Sequence, residues 1–486
     1  MSIFIWSLDS EKKTQENSDP MLSIAIIYGH NNSIDFDAKK LAELFCMHGY
    51  KDFKRVRVSI YTSTSNGKNI LETQLPKQST SDFCSETEFV HRPIDCSNVG
   101  GTEIINNCLS ISAYYDWNDY FLVLKREMIG SPHFNLSKIV SEIQSNPVQD
   151  VGILVIRLPK SETTKREDPI FFHRNHITIL GKPFGTNERN WECAIEWLKE
   201  LYSKTTRISF YKELVVGSYE SAKQEISCKS DIRDSIKDLL LRYLIYLVDK
   251  DSYSKDRESK KLIISMSLYG TQERYVCDAI RNAQLWPMIY PSWKLRYYIP
   301  ATSISQSIPR PPKKILFLLE KLGVQLVEVE DTVIGPMLWR FKVLQDEQVD
   351  RFIVRDIDDH LSIRDSLCVD HWMQSGKVLQ CVRDHPNHSS YPLSGGMFGA
   401  RRKELKHLCG HATSYEEMRR FGAEYMKDMN YLNSRIWPCV PKTEVDCCDE
   451  YSWWRWPGAH PFPLANRDPG YFVGSVFFSK CYIPQD

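Results

Sequence analysis

The chain has 486 residues, enough for two or three domains of ordinary size. Its 62 Lys and Arg residues balance 62 Asp and Glu residues, so no net positive charge favours binding to nucleic acid or to an anionic membrane surface. Apolar residues make up 42% of the chain and aromatic residues 12%, which excludes disorder on a large scale. No apolar run approaches the roughly 20 residues that span a bilayer. We therefore expect no nucleic-acid partner and no transmembrane segment.

The 14 cysteines are predicted to be free thiols. No Cys-x-x-Cys pair is present, and the adjacent Cys447 and Cys448 have a poor geometry for bridging each other. The first residues contain no signal-peptide core, so a reducing, cytoplasmic location is expected. Cys409-Gly-His411 offers two potential metal ligands, which alone make a weak metal signal.

The first half alternates between strand and helix patterns. Residues 1–20 are mostly polar and are expected to be flexible. Short runs rich in β-branched and aromatic residues predict strands, and apolar residues at three- and four-residue steps predict helices. The predicted strands are 21–28, 55–61, 120–125 and 151–158, the predicted helices are 37–48, 103–115 and 188–202, and residues 62–88 are predicted to form an exposed loop. This alternation favours an α/β architecture.

A charged stretch separates the two halves. Residues 231–249 carry the strongest helical periodicity, and residues 250–261, which follow, have Tyr253 as their only apolar residue. We interpret 250–261 as a linker, and no internal repeat is visible on either side of it. The predicted organisation is a flexible N-terminus (1–20), an N-terminal α/β domain (21–205), a helical connector and linker (206–261) and a second α/β domain (262–486).

The second half begins a new α/β pattern. Its predicted strands are 262–268, 294–299, 324–329 and 351–354, and its predicted helices are 273–286, 313–322 and 361–375. A β-α-β-α-β order is typical of nucleotide-binding sheets, whose ligands lie at the carboxyl ends of the strands.

The sharpest motif directly follows one of these strands. Asp356 and Asp358 are two residues apart, so on an extended chain their side chains point the same way. Their oxygen ligands suit Mg²⁺ or Mn²⁺, which in turn bind diphosphate oxygens. The alternative is a polar turn that caps the following helix, with Asp359 or Ser362 as the cap.

Arg383-Asp-His-Pro-Asn-His388 forms a second polar cluster, followed by Gly395-Gly396. Asp384 or His385 is a candidate general base, and the two glycines allow the backbone to approach a ligand closely. The alternative is a polar surface loop that contains a satisfied Asp–His pair.

Each of two aromatic motifs has two possible interpretations. In Trp339-Arg340-Phe341 the arginine either neutralises a phosphate or is a structural residue in an aromatic core. The run Tyr451-Ser-Trp-Trp-Arg-Trp456 either stacks against sugar faces or forms a small satellite core.

The second half also resembles a family of GT-A-type glycosyltransferases found in polysaccharide-synthesis clusters and in some large viruses. The resemblance covers about residues 262–478. The matching segments occur in family order: 264–270, 279–283, 290–293, 339–341, 354–358, 361–364, 369–376, 383–388, 395–399 and 471–474. It implies a GT-A-like, nucleotide-sugar-binding fold in which Asp356 and Asp358 hold Mn²⁺ or Mg²⁺ and the donor diphosphate.

Site residues follow from the motifs together with the resemblance. Tyr269, Arg340, Arg355, Gly395 and Gly396 are expected at the donor, and Asp384, His385 and Asp428 in catalysis. The resemblance also implies a late metal ligand, for which His460 is the candidate. The chain departs from the family at Asp359-His360, where Ser-Arg is usual, and at Arg364-Asp365, where Arg-Glu is usual.

The N-terminal half resembles a domain of unknown function that accompanies sugar-processing proteins, through residues 98–116, 119–124 and 133. This likeness implies a fold and no chemistry. The leading hypothesis for the chain is a metal-dependent glycosyltransferase that moves a sugar from a nucleotide-sugar donor to a glycan or other hydroxyl acceptor. The alternative is a non-catalytic carbohydrate- or protein-binding module on a decayed transferase fold. The departures from the family pattern at 359–360 and 364–365 favour this alternative.

Overall fold

The computed structural model describes part of the chain. The described residues are 21–28, 55–62, 87–93, 120–123, 136–146, 148, 151–157, 170–181, 191–205, 209–215, 234–424, 426–463, 471–476 and 481. The helices predicted at 37–48 and 103–115 lie outside these residues, as do the expected flexible N-terminus and most of the loop predicted at 62–88.

The described strands of the first half form one mixed sheet. They are β1 Met21–Tyr28, β2 Arg55–Thr62, β3 Thr87–Pro93, β4 Tyr120–Val123, β5 Ile153–Arg157, β6 Ile170–His173 and β7 Tyr211–Val215. Their order across the sheet is β3-β2-β1-β4-β6-β5-β7, and β6 alone among them runs antiparallel to its neighbours. The helices are α1 Leu136–Gln144, α2 Asn175–Leu180, α3 Trp191–Lys204, α4 Asp234–Val248 and α5 Lys250–Lys260.

The four strands predicted in this half are confirmed, as are the helices predicted at 188–202 and 231–249. The predicted connector differs from the structure in two ways. Tyr211–Val215 lies within 206–261 but pairs with β5 of the first sheet. The charged stretch interpreted as a linker forms helix α5. It contains no Gly or Pro to break a helix, and Lys260 pairs with Asp256 one turn away.

The second half forms another mixed sheet. Its strands are β8 Leu262–Ser267, β9 Lys294–Pro300, β10 Gln325–Val329, β11 Arg351–Arg355, β12 Leu379–Arg383, β13 Met397–Arg401, β14 Val445–Asp449 and β15 Ala459–His460. Its helices are α6 Glu273–Ile289, α7 Lys313–Lys321, α8 Pro336–Trp339, α9 Ile363–Ser375, α10 Arg402–Cys409, α11 Tyr415–Arg419 and α12 Lys427–Tyr431. The four strands and three helices predicted in this half are confirmed, with ends that differ by a few residues.

The two sheets share one topology. The second sheet has the order β10-β9-β8-β11-β13-β12-β14-β15, which repeats the order of the first and adds β15 at the edge. In each sheet the sixth strand in chain order is antiparallel to both of its neighbours. The sequence shows no internal repeat, because the repetition lies in strand order rather than in residue identity. The predicted α/β class with two α/β units is therefore confirmed.

Helices join the two units through a common apolar core. Buried residues of the first unit, such as Phe171 and Leu198, belong to the same hydrophobic cluster as Ile264 and Trp286 of the second. Arg281 on α6 donates hydrogen bonds to the carbonyl oxygens of Thr178 and Ile179 near the end of α2 (2.9 Å each). No helix in the described part of the chain has the length and apolar character needed to cross a bilayer.

The prediction of free thiols is wrong for the described part of the second unit. Disulfides join Cys277 to Cys481, Cys368 to Cys448, Cys381 to Cys447 and Cys409 to Cys439. Successive side chains of a strand point to opposite faces, so the adjacent cysteines of β14 bond to different partners, one on β12 and one on α9. Disulfides are typical of oxidising compartments, so the predicted cytoplasmic location loses the support that it took from free thiols.

Candidate functional site

The candidate site lies at the edge of the second sheet where β11 ends. Strand β11 contributes three buried apolar residues, 352–354, and the chain then turns outward through Asp356, Ile357 and Asp358. Strands β8, β9, β11, β12 and β14 run parallel to one another, so their carboxyl ends meet at this edge. Residues that follow these strands are therefore brought together from distant parts of the sequence.

Arg355 ends the strand but does not face the open edge. Its side chain is fully buried, and its guanidinium makes two 2.8 Å hydrogen bonds to the carboxylate of Asp365 on α9. The Tyr290 hydroxyl donates a third hydrogen bond to that carboxylate (2.6 Å). The predicted role of Arg355 at the donor phosphates is therefore contradicted, because its charge is neutralised inside the fold.

The Asp-x-Asp turn is held by its backbone. The Asn282 amide donates to the carbonyl oxygens of Ile357 and Asp359, and its oxygen accepts from the Leu361 N–H (2.9–3.0 Å). Ser362 caps α9 by accepting from the Asp365 N–H, so the cap predicted in the alternative interpretation is present. Asp356 and Asp358 take no part in that cap. The Asp356 side chain is 42% exposed.

Arg340 links Asp356 to a carboxylate that is 72 residues further along the chain, Asp428. Its guanidinium donates to Asp356 through Nη1 and to Asp428 through Nη2, the latter at 2.9 Å. The backbone of Arg340 is fixed by the hydroxyls of Ser265 and Ser267 at the end of β8. The structure thus brings three predicted site residues into one cluster.

Gly395 and Gly396 make room for this cluster. A Cβ on Gly396 would overlap the carboxylate of Asp356, and a Cβ on Gly395 would overlap the carboxylate of Asp428 and lie 2.9 Å from Nη2 of Arg340. In the structure the groups that come close to these two glycines are the protein's own side chains.

The cluster has a surplus of acceptor oxygens. Burial and the charge of Asp356 raise the pKa of Asp358 to about 6. Burial raises the pKa of Tyr269, and the charges of Asp356 and Asp358 add to this rise, so the predicted Tyr269 lies within their field. Among the described residues, the buried Asp428 Oδ1 has no hydrogen-bond partner. Hard oxygen donors with an unmet need for positive charge fit Mg²⁺ or Mn²⁺.

The residues that depart from the family pattern point away from the open edge. Asp359 is 4% exposed, and burial followed by the charge of Asp365 raises its pKa well above the usual range. His360 Nε2 lies 2.8 Å from the buried Asp278 carboxylate. These two departures change the packing beneath the motif and leave the open face to Asp356 and Asp358.

Asp384 has the environment of a structural ion pair. It is fully buried and accepts hydrogen bonds from Arg364 to both oxygens (2.8 and 2.9 Å) and from the Val473 N–H (3.1 Å). A carboxylate engaged in this way is not available to take a proton from a substrate, so its predicted catalytic role is contradicted. Sequence spacing does not show this pairing, because Arg364 lies on α9.

His385 immediately precedes the turn 386–390, and its ring centroid is 5.7 Å from that of His388 on the turn. The His385 ring stacks on Phe472 (4.3 Å between centroids), and its Nδ1 accepts from the Asn387 N–H. Burial, followed by the charge of His385, lowers the pKa of His388 to about 4. His388 was not among the predicted site residues, although it lies in the same motif and within the field of Asp356.

His460 belongs to a different cluster. It lies on β15, and its ring contacts Asp446 and the ring of His371. Asp446 pairs with Gln380 near the start of β12, at the opposite end of the strand from the candidate site. The prediction that His460 shares a metal with Asp356 and Asp358 is therefore contradicted.

The two aromatic motifs differ in exposure. Trp339 and Phe341 are fully buried, which favours the core interpretation of their rings, while Arg340 between them faces the site. Trp453 and Trp454 are 52% and 72% exposed on the loop that follows β14 at the same sheet edge as the site.

Comparisons with known proteins give only remote likeness. No family model matches the chain, and no curated protein matches it. Similar solved structures include TarS 1-349 from S. aureus, with 9% identity and a TM-score of 0.26 over 55% of this chain and 81% of that one. Glucosyl-3-phosphoglycerate synthase from Mycobacterium tuberculosis has 10% identity and a TM-score of 0.24 over 45% of this chain and 76% of that one. TM-scores this low assign neither fold nor function.

Proposed function

We propose that the chain is a metal-dependent glycosyltransferase that moves a sugar from a nucleotide-sugar donor to a glycan or other hydroxyl acceptor. The second unit, GT-A-like in this proposal, carries the chemistry. The observation that supports it most is the pair Asp356 and Asp358, held at the end of a buried central strand with a partly exposed carboxylate and a raised pKa. A site that disfavours its own negative charge is suited to a cation.

Asp356 and Asp358 would hold the divalent ion, Mn²⁺ or Mg²⁺. When bound, that ion supplies Lewis-acid stabilisation of the negative charge that develops on a departing nucleoside diphosphate. Arg340 contributes a fixed positive charge beside the same carboxylates, and its position is set by Ser265 and Ser267 rather than by a mobile loop. Tyr269 lies beside this group, where a nucleotide donor would extend along the sheet edge.

Asp428 replaces Asp384 as the proposed general base. Its Oδ2 accepts from Arg340, and its Oδ1 has no partner among the described residues. An acceptor hydroxyl that reaches Oδ1 would donate its proton there while Arg340 holds the carboxylate in place. Asp384 instead fixes Arg364 and the 471–476 segment through Val473.

The exposed Trp453 and Trp454 support an acceptor role for the loop after β14. Their rings meet edge to face at 5.9 Å and offer apolar faces to solvent. Sugar rings present apolar C–H faces that stack on such rings. We assign this loop to the acceptor side because it follows a strand that ends at the same edge as β11.

The first unit lacks the equivalent motif. After β4, which occupies the place of β11 in the first sheet, the sequence reads Leu124-Lys-Arg-Glu127 and contains no Asp-x-Asp. We therefore propose that metal-dependent transfer is confined to residues 262–486 and that the first unit has another role.

A second candidate is the non-catalytic module on a decayed transferase fold. One observation favours it: Arg340 already contacts Asp356 and supplies a positive charge where a metal ion would lie. In that case the Arg340 contact persists in place of a metal ion, and the acidic residues bind no cation.

Calorimetric titration of Mn²⁺, followed by uridine or guanosine diphosphate, distinguishes the two candidates. Wild type is expected to bind Mn²⁺ and then one of the diphosphates, and Asp358→Asn to bind Mn²⁺ about tenfold more weakly, which corresponds to roughly 1.4 kcal/mol. Asp350→Asn is the matched control, an exposed carboxylate immediately before the same strand. Absence of Mn²⁺ binding in wild type would support the decayed module. Release of nucleotide from a nucleotide sugar only with Mn²⁺ would support the enzyme.

A further inference from the structure

A second group of metal-ligating side chains lies away from the candidate site. It consists of His371 on α9, Asp446 on β14 and His460 on β15. Asp446 is the second residue of β14 and pairs with Gln380 near the start of β12, whereas Asp356 follows the end of the parallel strand β11. The two groups therefore lie toward opposite edges of the sheet, and this cluster is not used by the proposed transfer reaction.

The three side chains converge on one point. The Asp446 carboxylate is 4% exposed and lies with Oδ2 at 2.9 Å from His371 Nδ1 and Oδ1 at 3.4 Å from His460 Nε2. The two imidazole centroids are 4.2 Å apart, and one ligand atom from each residue lies within 4.8 Å of the others. Tetrahedral Zn²⁺ with bonds of about 2.0–2.1 Å places its ligand atoms about 3.3 Å apart. Small side-chain rotations are enough to reach that geometry.

The tautomer of His460 leaves a lone pair facing the carboxylate. Its Nδ1 lies 2.9 Å from the Pro461 carbonyl oxygen, which only accepts hydrogen bonds, so Nδ1 carries the proton. On the neutral ring, Nε2 then presents its lone pair to Asp446 Oδ1. Nε2 is buried and lies 3.4 Å from Asp446 Oδ1, a contact without the geometry of a good hydrogen bond. A histidine whose outer N–H is held by a backbone carbonyl is arranged as metal-ligating histidines are.

Two states satisfy these atoms. In one, a neutral His371 donates through Nδ1 to Asp446 Oδ2 and a protonated His460 donates through Nε2 to Oδ1. In the other, a metal ion takes the place of these protons. One divalent ion would satisfy the nitrogen of each ring and the carboxylate together. His371 is 48% exposed, so a fourth position is open to water.

We propose that His371, Asp446 and His460 bind one divalent transition-metal ion of the Zn²⁺ class. Two imidazole nitrogens and one carboxylate oxygen form a donor set that suits Zn²⁺ and differs from the all-oxygen set at Asp356 and Asp358. The ion joins the two-residue strand β15 to α9, so it secures the far end of the loop that carries Trp453 and Trp454. Its role in this proposal is structural.

Cobalt substitution tests the site in the full chain. Co²⁺ is titrated into chelator-treated protein, and the visible absorption of the ion is followed. One equivalent is expected to give the intense bands of four-coordinate Co²⁺, which disappear when Zn²⁺ is added and persist in Asp358→Asn. An octahedral all-oxygen site gives only weak bands, so the two metal sites are distinguished. His371→Gln and His460→Gln are each expected to weaken Co²⁺ binding at least tenfold.

His411→Gln is the matched control. His411 is an exposed histidine whose Nε2 lies 3.6 Å from the buried carboxylate of Glu417. It is expected to leave the Co²⁺ bands unchanged. Wild type that gives no intense band at one equivalent overturns the proposal, whether or not the variants are stable. Equal Co²⁺ affinity in wild type, His371→Gln and His460→Gln overturns it as well.

Discussion

Carboxylates follow three parallel strands of the second sheet, β11, β12 and β14. Those after β11 are less completely paired than those after β12 and β14. Asp384, after β12, accepts two hydrogen bonds from Arg364 and one from a backbone N–H. Asp449, at the end of β14, accepts from Arg383, from two backbone N–H groups and from the Ser452 hydroxyl. The cluster after β11 shares one arginine between Asp356 and Asp428 and leaves Asp428 Oδ1 without a partner among the described residues.

The difference teaches that the number of partners, rather than the residue type, separates a structural carboxylate from a site carboxylate. A fully hydrogen-bonded carboxylate is stable as an anion and has nothing to offer a ligand. A carboxylate that is desolvated beside another has a raised pKa and gains from a cation, as at Asp358. We therefore expect substitutions after β12 to affect stability, and substitutions after β11 to affect binding.

The largest effect is expected from Asp384→Ala. Removing this carboxylate takes a fully buried partner from the guanidinium of Arg364, which is 7% exposed and also contacts Glu450 at 2.9 Å. Breaking a buried ion pair on one side costs about 3–5 kcal/mol. Urea unfolding at pH 7 should show a loss of that size in the free energy of unfolding.

The control and the counter-test for Asp384 use the same assay. Asp350→Ala, at an exposed position, should change the free energy of unfolding by less than about 0.5 kcal/mol. The double variant Arg364→Met/Asp384→Leu should recover part of the loss, because well-packed apolar residues replace buried pairs at little cost. A well-folded Asp384→Ala protein of near wild-type stability that has lost turnover would restore the catalytic role and break the comparison.

Much of the fold is predictable from local patterns. The strands at 262–268 and 351–354 are apolar runs ended by polar residues, and burial on both faces of a sheet explains that pattern. Strand β6 was missed because Ile-Phe-Phe-His is too short to distinguish from a loop, and β3 because polar residues precede it. The repeated strand order was missed because topology is a property of long-range pairing that residue identity need not record.

Site residues that lie in one short segment could be predicted from the sequence. Residues whose role depends on an ion-pair partner from another element could not. Asp356 and Asp358 follow from their position after a strand. Arg355 is buried because it pairs with Asp365, a residue of helix α9, which packs beside the strand. Asp384 likewise depends on Arg364, and His460 on Asp446. Each misassigned residue is ionisable, and each contacts a partner that tertiary packing brings close and that sequence spacing does not reveal. Ser265 and Ser267, which hold the backbone of Arg340, could have been noticed in the sequence because they are polar residues in an otherwise apolar, buried strand.

The pH dependence of stability gives a further test at the turn 386–390, which carries His388 and closely follows β12. Burial and the charge of His385 lower the pKa of His388 to about 4, below the usual value of 6.5. The unfolded chain therefore binds more protons between these values, so the stability that neutral His388 contributes is present above pH 6.5 and is lost as the pH falls toward 4. We expect wild type to lose about 1–2 kcal/mol more than His388→Phe between pH 7 and 4.5.

Urea unfolding of both proteins at the two pH values measures this difference. Phenylalanine keeps a ring beside Phe472 and removes the titrating group. His407→Gln, at an exposed position on α10, should follow wild type. Identical pH dependence of stability in wild type and His388→Phe would show that the folded protein does not disfavour the protonated form of His388.

The smallest expected effect is the change in the free energy of unfolding caused by Asp358→Asn in metal-free protein. The test depends on whether this change is a gain or a loss of stability. Burial and Asp356 raise the pKa of Asp358 to about 6, so the folded protein holds this proton more tightly than the unfolded chain does. Stability contributed by protonated Asp358 is therefore present at low pH and declines as the pH rises from about 4 to 6. At pH 7 the charged carboxylate opposes folding, and Asn removes that charge while it keeps the size of the side chain. In chelator-treated protein we expect Asp358→Asn to unfold at pH 7 with a free energy equal to or up to about 1 kcal/mol above that of wild type, and at pH 4 with no gain. A loss of stability at pH 7 like that of Asp384→Ala would mean that Asp358 is as fully paired as Asp384, and the end of β11 would then be no more available to a cation than the end of β12.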